Sequence, residues 1–263
     1  MDILKGKSYV VTGGARGIGL ACCQAIIAAG GQVAVLDILS EPDSSAAALQ
    51  EASKYHYFSC DIAQQQSLEP AFHNAVIALG GQLDGCVLAA GIGLDKPFVD
   101  ISWAEFDRLM RVNQSGIFFV AQLATRAMLL QDVDKHGIRG SIVSIASRSA
   151  SGTCPGHLLS AYGGSKGFVK SFTLQLGHEL AGKGIRVNCI SPGYIETELN
   201  LSLARIRPEV QYFFTEAPPL KRIGQTSDVA GGLIYLLSDA ASYVTAIDLP
   251  IDGGMTAGTG LTK

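Results

Sequence analysis

Tyr162 and Lys166 stand four residues apart in the run Ser160-Ala-Tyr-Gly-Gly-Ser-Lys166. Positions i and i+4 of a helix share a face, so a phenol and an ammonium at this spacing are presented to one pocket. A cation beside a phenol favours phenolate and lowers the tyrosine pKa from its reference of about 10. A tyrosine tuned this way exchanges a proton with an alcohol or carbonyl oxygen near neutral pH. The spacing also occurs on ordinary helix surfaces, so its meaning depends on what accompanies it.

The first companion is at the other end of the chain. Ser8-Tyr-Val-Val-Thr-Gly-Gly-Ala-Arg-Gly-Ile-Gly19 reads as a strand, a glycine-rich turn and the start of a helix. Gly13, Gly17 and Gly19 let the backbone turn tightly, approach a pyrophosphate and pack helix on strand. Ile18 lies within that turn. Asp37 ends the next apolar run, Gln32-Val-Ala-Val-Leu-Asp37, 18 residues beyond Gly19. A carboxylate there accepts hydrogen bonds from ribose hydroxyls and repels a 2′-phosphate, which favours NAD over NADP. Arg16 is the contrary sign, since a guanidinium beside the ribose pairs with a phosphate. Asp61, with Ile62 after the third apolar run, is readable as a contact to adenine or as a turn or cap residue.

These groups need a scaffold. Strand patterns cover Ser8–Thr12, Gln32–Asp37, Tyr57–Cys60, Gly85–Ala89, Gly140–Ile145, Arg186–Ile190 and Asp248–Ile251. Helical patterns fall between them at Gly17–Ala29, Ser67–Leu79, Trp103–Leu130, Ala161–Ala181 and Ser227–Leu237. Apolar strands alternating with helices predict an α/β fold with a parallel sheet covered on both faces. No linker divides the 263 residues, so one domain over residues 1–263 is expected. The segment 196–220 interrupts the alternation and carries Tyr212-Phe-Phe214, which suits either a substrate lid or a local packing cluster. A 48% apolar and 16% charged composition supports a large core, and a net charge of −3 offers nucleic acid no basic footprint. No apolar stretch reaches the ~18 residues of a membrane span, and the N-terminus lacks a signal-peptide apolar region. The six cysteines form no C-x-x-C pair. Reduced core thiols in a cytoplasmic protein without a metal site are therefore expected.

Taken in order, these pieces resemble the short-chain dehydrogenase/reductase family over nearly the whole chain. The residues that carry the likeness are Thr12-Gly-Gly-Ala-Arg-Gly-Ile-Gly19, Ala89-Ala90-Gly91, Asn113 in Arg111-Val-Asn113, Ser147 in Ile142-Val-Ser-Ile-Ala-Ser147, the Tyr162/Lys166 pair and Pro192-Gly193. The resemblance implies a single doubly wound (Rossmann) domain with a seven-stranded parallel sheet flanked by helices. It also implies Tyr162 as general acid/base. Lys166 would hold the nicotinamide ribose and depress the tyrosine pKa, Ser147 would bind the substrate oxygen, and Asn113 would anchor a water relay. Ala90 and Gly91 would border the cofactor. Gly193 would pass close to the nicotinamide, with Ile195 and Thr197 at its carboxamide. Two departures stand out. Ala89 occupies a place where the family often has Asn, and 15 residues separate Ser147 from Tyr162, about two more than in many relatives. Ser149 is therefore a rival to Ser147.

The expected reaction is hydride exchange between NAD(H) and a secondary alcohol or ketone. A wall of Ile92, Leu94, Leu158, Leu159, Tyr194, Leu199, Leu203, Phe213 and Phe214 suggests a bulky, mostly apolar substrate. A polyol or sugar, an NADPH-dependent ketone reduction, and a non-redox binding or cyclase role are the alternatives. Arg148, Arg205 and Arg207 lie close enough in sequence to matter, and His157 reads as a solvated loop residue unless it touches substrate. The resemblance also implies a homo-oligomer, a tetramer or dimer, through Trp103–Leu130 and Ala161–Ala181. A small molecule is the expected partner, with neither nucleic acid nor membrane. The tail Thr256–Lys263 is expected to help close a subunit or pocket, or to be loose.

Overall fold

The computed structural model describes residues 2–46, 49 and 54–260. Seven parallel strands form one sheet: β1 Ser8–Thr12, β2 Gln32–Asp37, β3 Tyr55–Ser59, β4 Gly85–Leu88, β5 Gly140–Ile145, β6 Ile185–Pro192 and β7 Asp248–Ile251. Their order is β3-β2-β1-β4-β5-β6-β7, so the chain reverses direction of travel between β1 and β4. Ligands of open α/β sheets bind beyond the carboxyl ends of the strands at such a switch point.

Each central strand is buried on both faces, and its alternating side chains divide between two cores. Val10, Leu36, Cys86 and Ile142 point to one side. There they meet α2 (Gln65–Ala78), α4 (Ile117–Leu129) and α5 (Ser160–Ala181) through Phe72, Val120 and Val169. Tyr9, Val11, Val35 and Val143 point to the other side. They meet α1 (Gly17–Ala28) and α8 (Thr226–Leu237) through Ile26 and Leu233. This is the doubly wound architecture expected from the apolar, β-branched strand runs. The cysteines are free and all but Cys154 are buried, which agrees with their reading as core thiols. Among the described residues, no helix is long and apolar enough to cross a membrane.

The stretch expected as one helix, Trp103–Leu130, is broken in register. It begins as α3, Trp103–Met110, behind a Ser102 capping box, widens into a π turn over Arg111–Gly116, and resumes as α4. The segment 196–220 holds α6 (Glu198–Ile206) and α7 (Gln211–Glu216). Phe214 of α7 is buried with Tyr194, Val210, Ala217 and Met255 in a third, smaller cluster.

The turn after β1 depends on missing side chains. Gly13 has φ +69°, and a Cβ there would lie 2.6 Å from Ala90 Cα. A Cβ on Gly19 would run into the Gly13 carbonyl oxygen. Gly19→Ala should therefore force the turn open at a cost of about 1–3 kcal/mol. We expect a melting temperature several degrees lower by circular dichroism and weaker binding of a dinucleotide by calorimetry. An unchanged melting temperature would contradict this packing.

Candidate active site

The strand ends converge on a cleft of about 1020 Å³ that runs along the carboxyl edge of the sheet. One half is built by the segments that follow β1, β2, β3 and β4. Gly13, Arg16, Gly17, Ile18 and Gly19 line it, with Asp37, Asp61, Ile62, Ala90 and Gly91. Asp37 Oδ2 accepts from the Ala15 amide at 3.0 Å and Oδ1 from the Leu39 amide at 3.2 Å, which pins the carboxylate beside the glycine turn. Arg16 lies exposed on the same wall. Asp61 Oδ1 accepts from the Ala63 amide at 2.9 Å, so it closes a turn, as its reading as a turn residue has it, and it also lines the cleft. The family's customary Asn is replaced by Ala89, and here Thr12 links the two strands of the switch point. Its Oγ1 accepts from the Ala90 amide at 3.3 Å and donates to Val87 O at 3.5 Å.

The other half is built by β5, β6 and α5. Ser147, Tyr162, Lys166, Pro192, Gly193, Tyr194, Ile195 and Thr197 line it. Lys166 is 4% exposed, and its Nζ donates to Ile145 O at 2.7 Å. Removal from water pushes the Lys166 ammonium down to about 8. Tyr162 is pushed up to about 12 by burial, with a hydrogen bond to Ser147 pulling the other way. The expected lowering of Tyr162 by Lys166 is thus not produced by the protein's own groups. The ammonium is 5.9 Å from the ring centroid and committed to a backbone carbonyl.

Two expected site residues stand behind the cleft wall rather than in it. Asn113 sits in the π turn, wholly buried. Its Oδ1 accepts from Ile92 N at 2.9 Å, and its Nδ2 donates to Ile92 O and to Ser165 Oγ. The side chain is therefore spent on fixing the loop after β4 against α5. It still adjoins the lysine, because a Cβ on Gly91 would lie 3.3 Å from Lys166 Nζ and 3.4 Å from Asn113 Oδ1. Ser149 donates its hydroxyl to Ser147 Oγ at 2.9 Å from a 3₁₀ turn, Arg148–Ala150. It backs Ser147, which lines the cleft together with Tyr162.

The substrate wall differs from expectation in several places. Ile92, Leu94, Leu159, Tyr194 and Leu203 line the cleft. Leu158 is 48% exposed and turned away, Phe214 is sunk in the third cluster, and Phe213 packs on Gly156. The side chain of Leu199 lies outside the described residues. Arg205 is spent on Glu198. His157 is not a solvated loop residue: its side chain is 5% exposed and its Nδ1 is 2.6 Å from Asp95 Oδ2. Arg207 Nη1 reaches the other Asp95 oxygen at 3.0 Å, and Arg148 is buried with Nη2 on Met255 O. Asp95 gave no sequence signal, because its partners are 62 and 112 residues away.

A glycine turn and carboxylate at one end of a switch-point cleft, and a serine, tyrosine and lysine at the other, define a dinucleotide-binding oxidoreductase. Comparison with known proteins agrees. The family model described as Enoyl-(Acyl carrier protein) reductase matches residues 13–256. The chain is 34% identical to 2,5-dichloro-2,5-cyclohexadiene-1,4-diol dehydrogenase of Sphingobium indicum, over 98% of this chain and 100% of that one. It is 32% identical to galactitol 2-dehydrogenase (L-tagatose-forming) of Cereibacter sphaeroides, over 96% of each. A solved structure of 7α-hydroxysteroid dehydrogenase, complexed with NADH and 7-oxo glycochenodeoxycholic acid, superposes with a TM-score of 0.86. It is 31% identical, over 95% of this chain and 94% of that one. The chain belongs to the short-chain dehydrogenase/reductase family and is an oxidoreductase that uses a nicotinamide cofactor.

Burial of Lys166 has a measurable consequence. Its folded pKa, about 8, is below the ordinary 10.5. Below pH 8 both states are protonated and the fold bears the whole cost of the buried charge, about 3 kcal/mol from the size of the shift. Between pH 8 and 10.5 the unfolded chain binds a proton that the folded one does not, so stability rises with pH. Lys166→Met should therefore melt higher than the unaltered protein at pH 7, with the difference closing towards pH 10. A gap independent of pH in paired denaturation curves would contradict this.

Proposed function

We propose that the protein is an NAD(H)-dependent dehydrogenase or reductase of a secondary alcohol or ketone with a bulky, mostly apolar body. The observation that carries this is the convergence of Ser147, Tyr162 and Lys166 on the cleft that has Asp37 at its far end. The glycine turn fits a pyrophosphate: Gly13 and Gly19 allow its close packing against Ala90 and the Gly13 carbonyl, and Gly17, where a Cβ would meet nothing nearer than Thr197, leaves the backbone open towards the cleft. Asp37 would take the adenosine ribose hydroxyls, Lys166 the nicotinamide ribose, and Ile195 and Thr197 the carboxamide. When bound, NAD supplies the hydride acceptor and a positively charged ring beside the phenol.

The chain's own residues then do the following. Ser147 hydrogen-bonds the substrate oxygen and orients it towards Tyr162. Tyr162 takes the hydroxyl proton in oxidation and returns it in reduction. The acceptor of that proton is the phenolate, and a phenol pushed up to about 12 by burial supplies little phenolate near neutral pH. Lys166, with one donor on Ile145 O, keeps others for ribose hydroxyls, and the lowering of Tyr162 falls to the positively charged nicotinamide that would lie in the cleft. Asn113 holds the loop around Gly91 and Ile92, so it supports the relay beside Lys166 through position rather than through its amide. Ile92, Leu94, Leu159, Tyr194 and Leu203 support the apolar substrate body. The segment 196–220 serves as a lid over it. A polyol substrate is the second reading, favoured by the likeness to galactitol 2-dehydrogenase.

The enzyme acts in the cytoplasm as a homo-oligomer. Ile117 and Val120 of α4 are wholly buried, but Phe118 and Phe119 are 40% and 51% exposed, an apolar face suited to a second copy.

Two measurements test this reading. Calorimetric titration should give tighter binding of NADH than of NADPH, by about tenfold or more, equivalent to about 1.4 kcal/mol. Preference for NADPH would mean that Arg16 outweighs Asp37. Tyr162→Phe should abolish turnover, with NADH affinity within about twofold of the unaltered protein. Turnover retained in that variant would sink the assignment.

A further inference from the structure

The substrate end of the cleft holds a polar cluster that hydride transfer leaves unused. Asp95 and His157 line the same wall as Tyr162. The Asp95 side chain is 10% exposed and surrounded by donors. Oδ1 accepts from Leu158 N at 2.8 Å and Arg207 Nη1 at 3.0 Å, and Oδ2 is 2.6 Å from His157 Nδ1. A carboxylate only accepts, so Nδ1 carries the proton in this bond, and in the neutral ring Nε2 is left as an acceptor. The imidazole plane is fixed as well. Tyr194 lies against it at 5.4 Å between centroids, and Phe214 stacks on it at 6.2 Å.

Nε2 is buried and has no partner among the described residues. Buried polar atoms nearly always have one. Tautomer, tilt and position are all fixed on a ring whose outer nitrogen bonds to nothing, which is how a binding group is pre-arranged. Arg148, on the same cleft wall, carries a buried Nη1 that is likewise unpartnered. The wall thus offers an acceptor and a donor. A hydroxyl can donate to the acceptor. An ether or ketone oxygen cannot donate to Nε2, and a carboxylate would bring a second negative charge towards Asp95.

We propose that His157 recognises a second hydroxyl of the substrate, on a carbon other than the one that exchanges hydride. The substrate class is then a diol or hydroxyketone on an apolar frame, not a simple alcohol. This deepens the dehydrogenase reading and rests on it. Nε2 is out of contact with water in this arrangement, so the wall must yield for a substrate to reach it. Arg207, at the end of α6, fastens that wall through Asp95 and through Gly156 O at 2.6 Å. Those are the bonds that entry would loosen.

The test compares cyclohexanol with 1,2-, 1,3- and 1,4-cyclohexanediol, using NAD and the full-length protein. We expect at least one diol to exceed cyclohexanol in kcat/KM by about tenfold or more. His157→Phe keeps the stack on Tyr194 and Phe214 but removes both nitrogens. It should lower kcat/KM for that diol by about tenfold, mainly through KM, and leave cyclohexanol within about twofold. His157→Gln, with an amide near the place of Nε2, should recover part of the loss. Circular dichroism melting of both variants identifies a folding defect, which would lower both substrates together. Equal loss on diol and cyclohexanol, or no diol preference in the unaltered enzyme, overturns the role of His157 while leaving the dehydrogenase reading intact. An enzyme that binds NADH but oxidises none of the four alcohols, with NAD or NADP, sinks both.

Discussion

An ammonium ion taken out of water must find an acceptor, and Lys166 finds the carbonyl of Ile145 at the end of β5. Much of the site follows from that bond. It fixes α5 against the sheet edge and hence places Tyr162 one turn earlier on the same helix. It keeps the charge nearly 6 Å from the phenol ring, so burial rather than the cation governs Tyr162. It also demands a neighbour without a side chain. Gly91 meets this demand, since any Cβ there would crowd both the ammonium and Asn113. The strand end, the glycine after β4 and the buried asparagine are therefore parts of one arrangement around a charge that costs the fold stability.

The strands were legible because their residues had to be apolar on both faces, and the observed ranges differ from the sequence patterns by two residues or fewer at either end. The positions expected to face a cofactor were equally legible as cleft lining. They are consecutive residues at strand ends and turns, and every residue expected there except Asn113 lines the cleft. Asn113 and Ser149 show the limit. Sequence identifies a polar side chain at the right place, but not that backbone groups of Ile92 or the hydroxyl of Ser147 will claim it. The π turn over Arg111-Val-Asn-Gln-Ser-Gly116 was not legible, because polar residues and a glycine at these positions suit a continuous α-helix surface as well as a widened turn.

On the substrate side Ile92, Leu94, Leu159, Tyr194 and Leu203 line the cleft as expected, whereas Leu158, Phe213 and Phe214 do not. Aromatic side chains in the 196–220 segment pointed to an apolar wall. Yet Phe214 is drawn into a core with Val210, Ala217 and Met255, which removes more apolar surface from water than cleft exposure would. The wall is left to Tyr194, to smaller aliphatic side chains and to Asp95 and His157, with Arg207 holding Asp95. Asp95, His157 and Arg207 each came from a different loop, and only the folded sheet brings them within bonding distance.

The π turn has a consequence beyond the placement of Asn113. An inserted residue advances the helix by one position, which turns everything downstream by on the order of 100° about the axis. Without it, the faces of α4 would be redistributed, and the pair Phe118 and Phe119 would no longer be the residues left outside while Ile117 and Val120 enter the core. One local widening of the helix thus sets, at the same time, the asparagine that steadies the site and the outer surface of α4. The interior chemistry and the exterior shape of this protein are geared together through six residues.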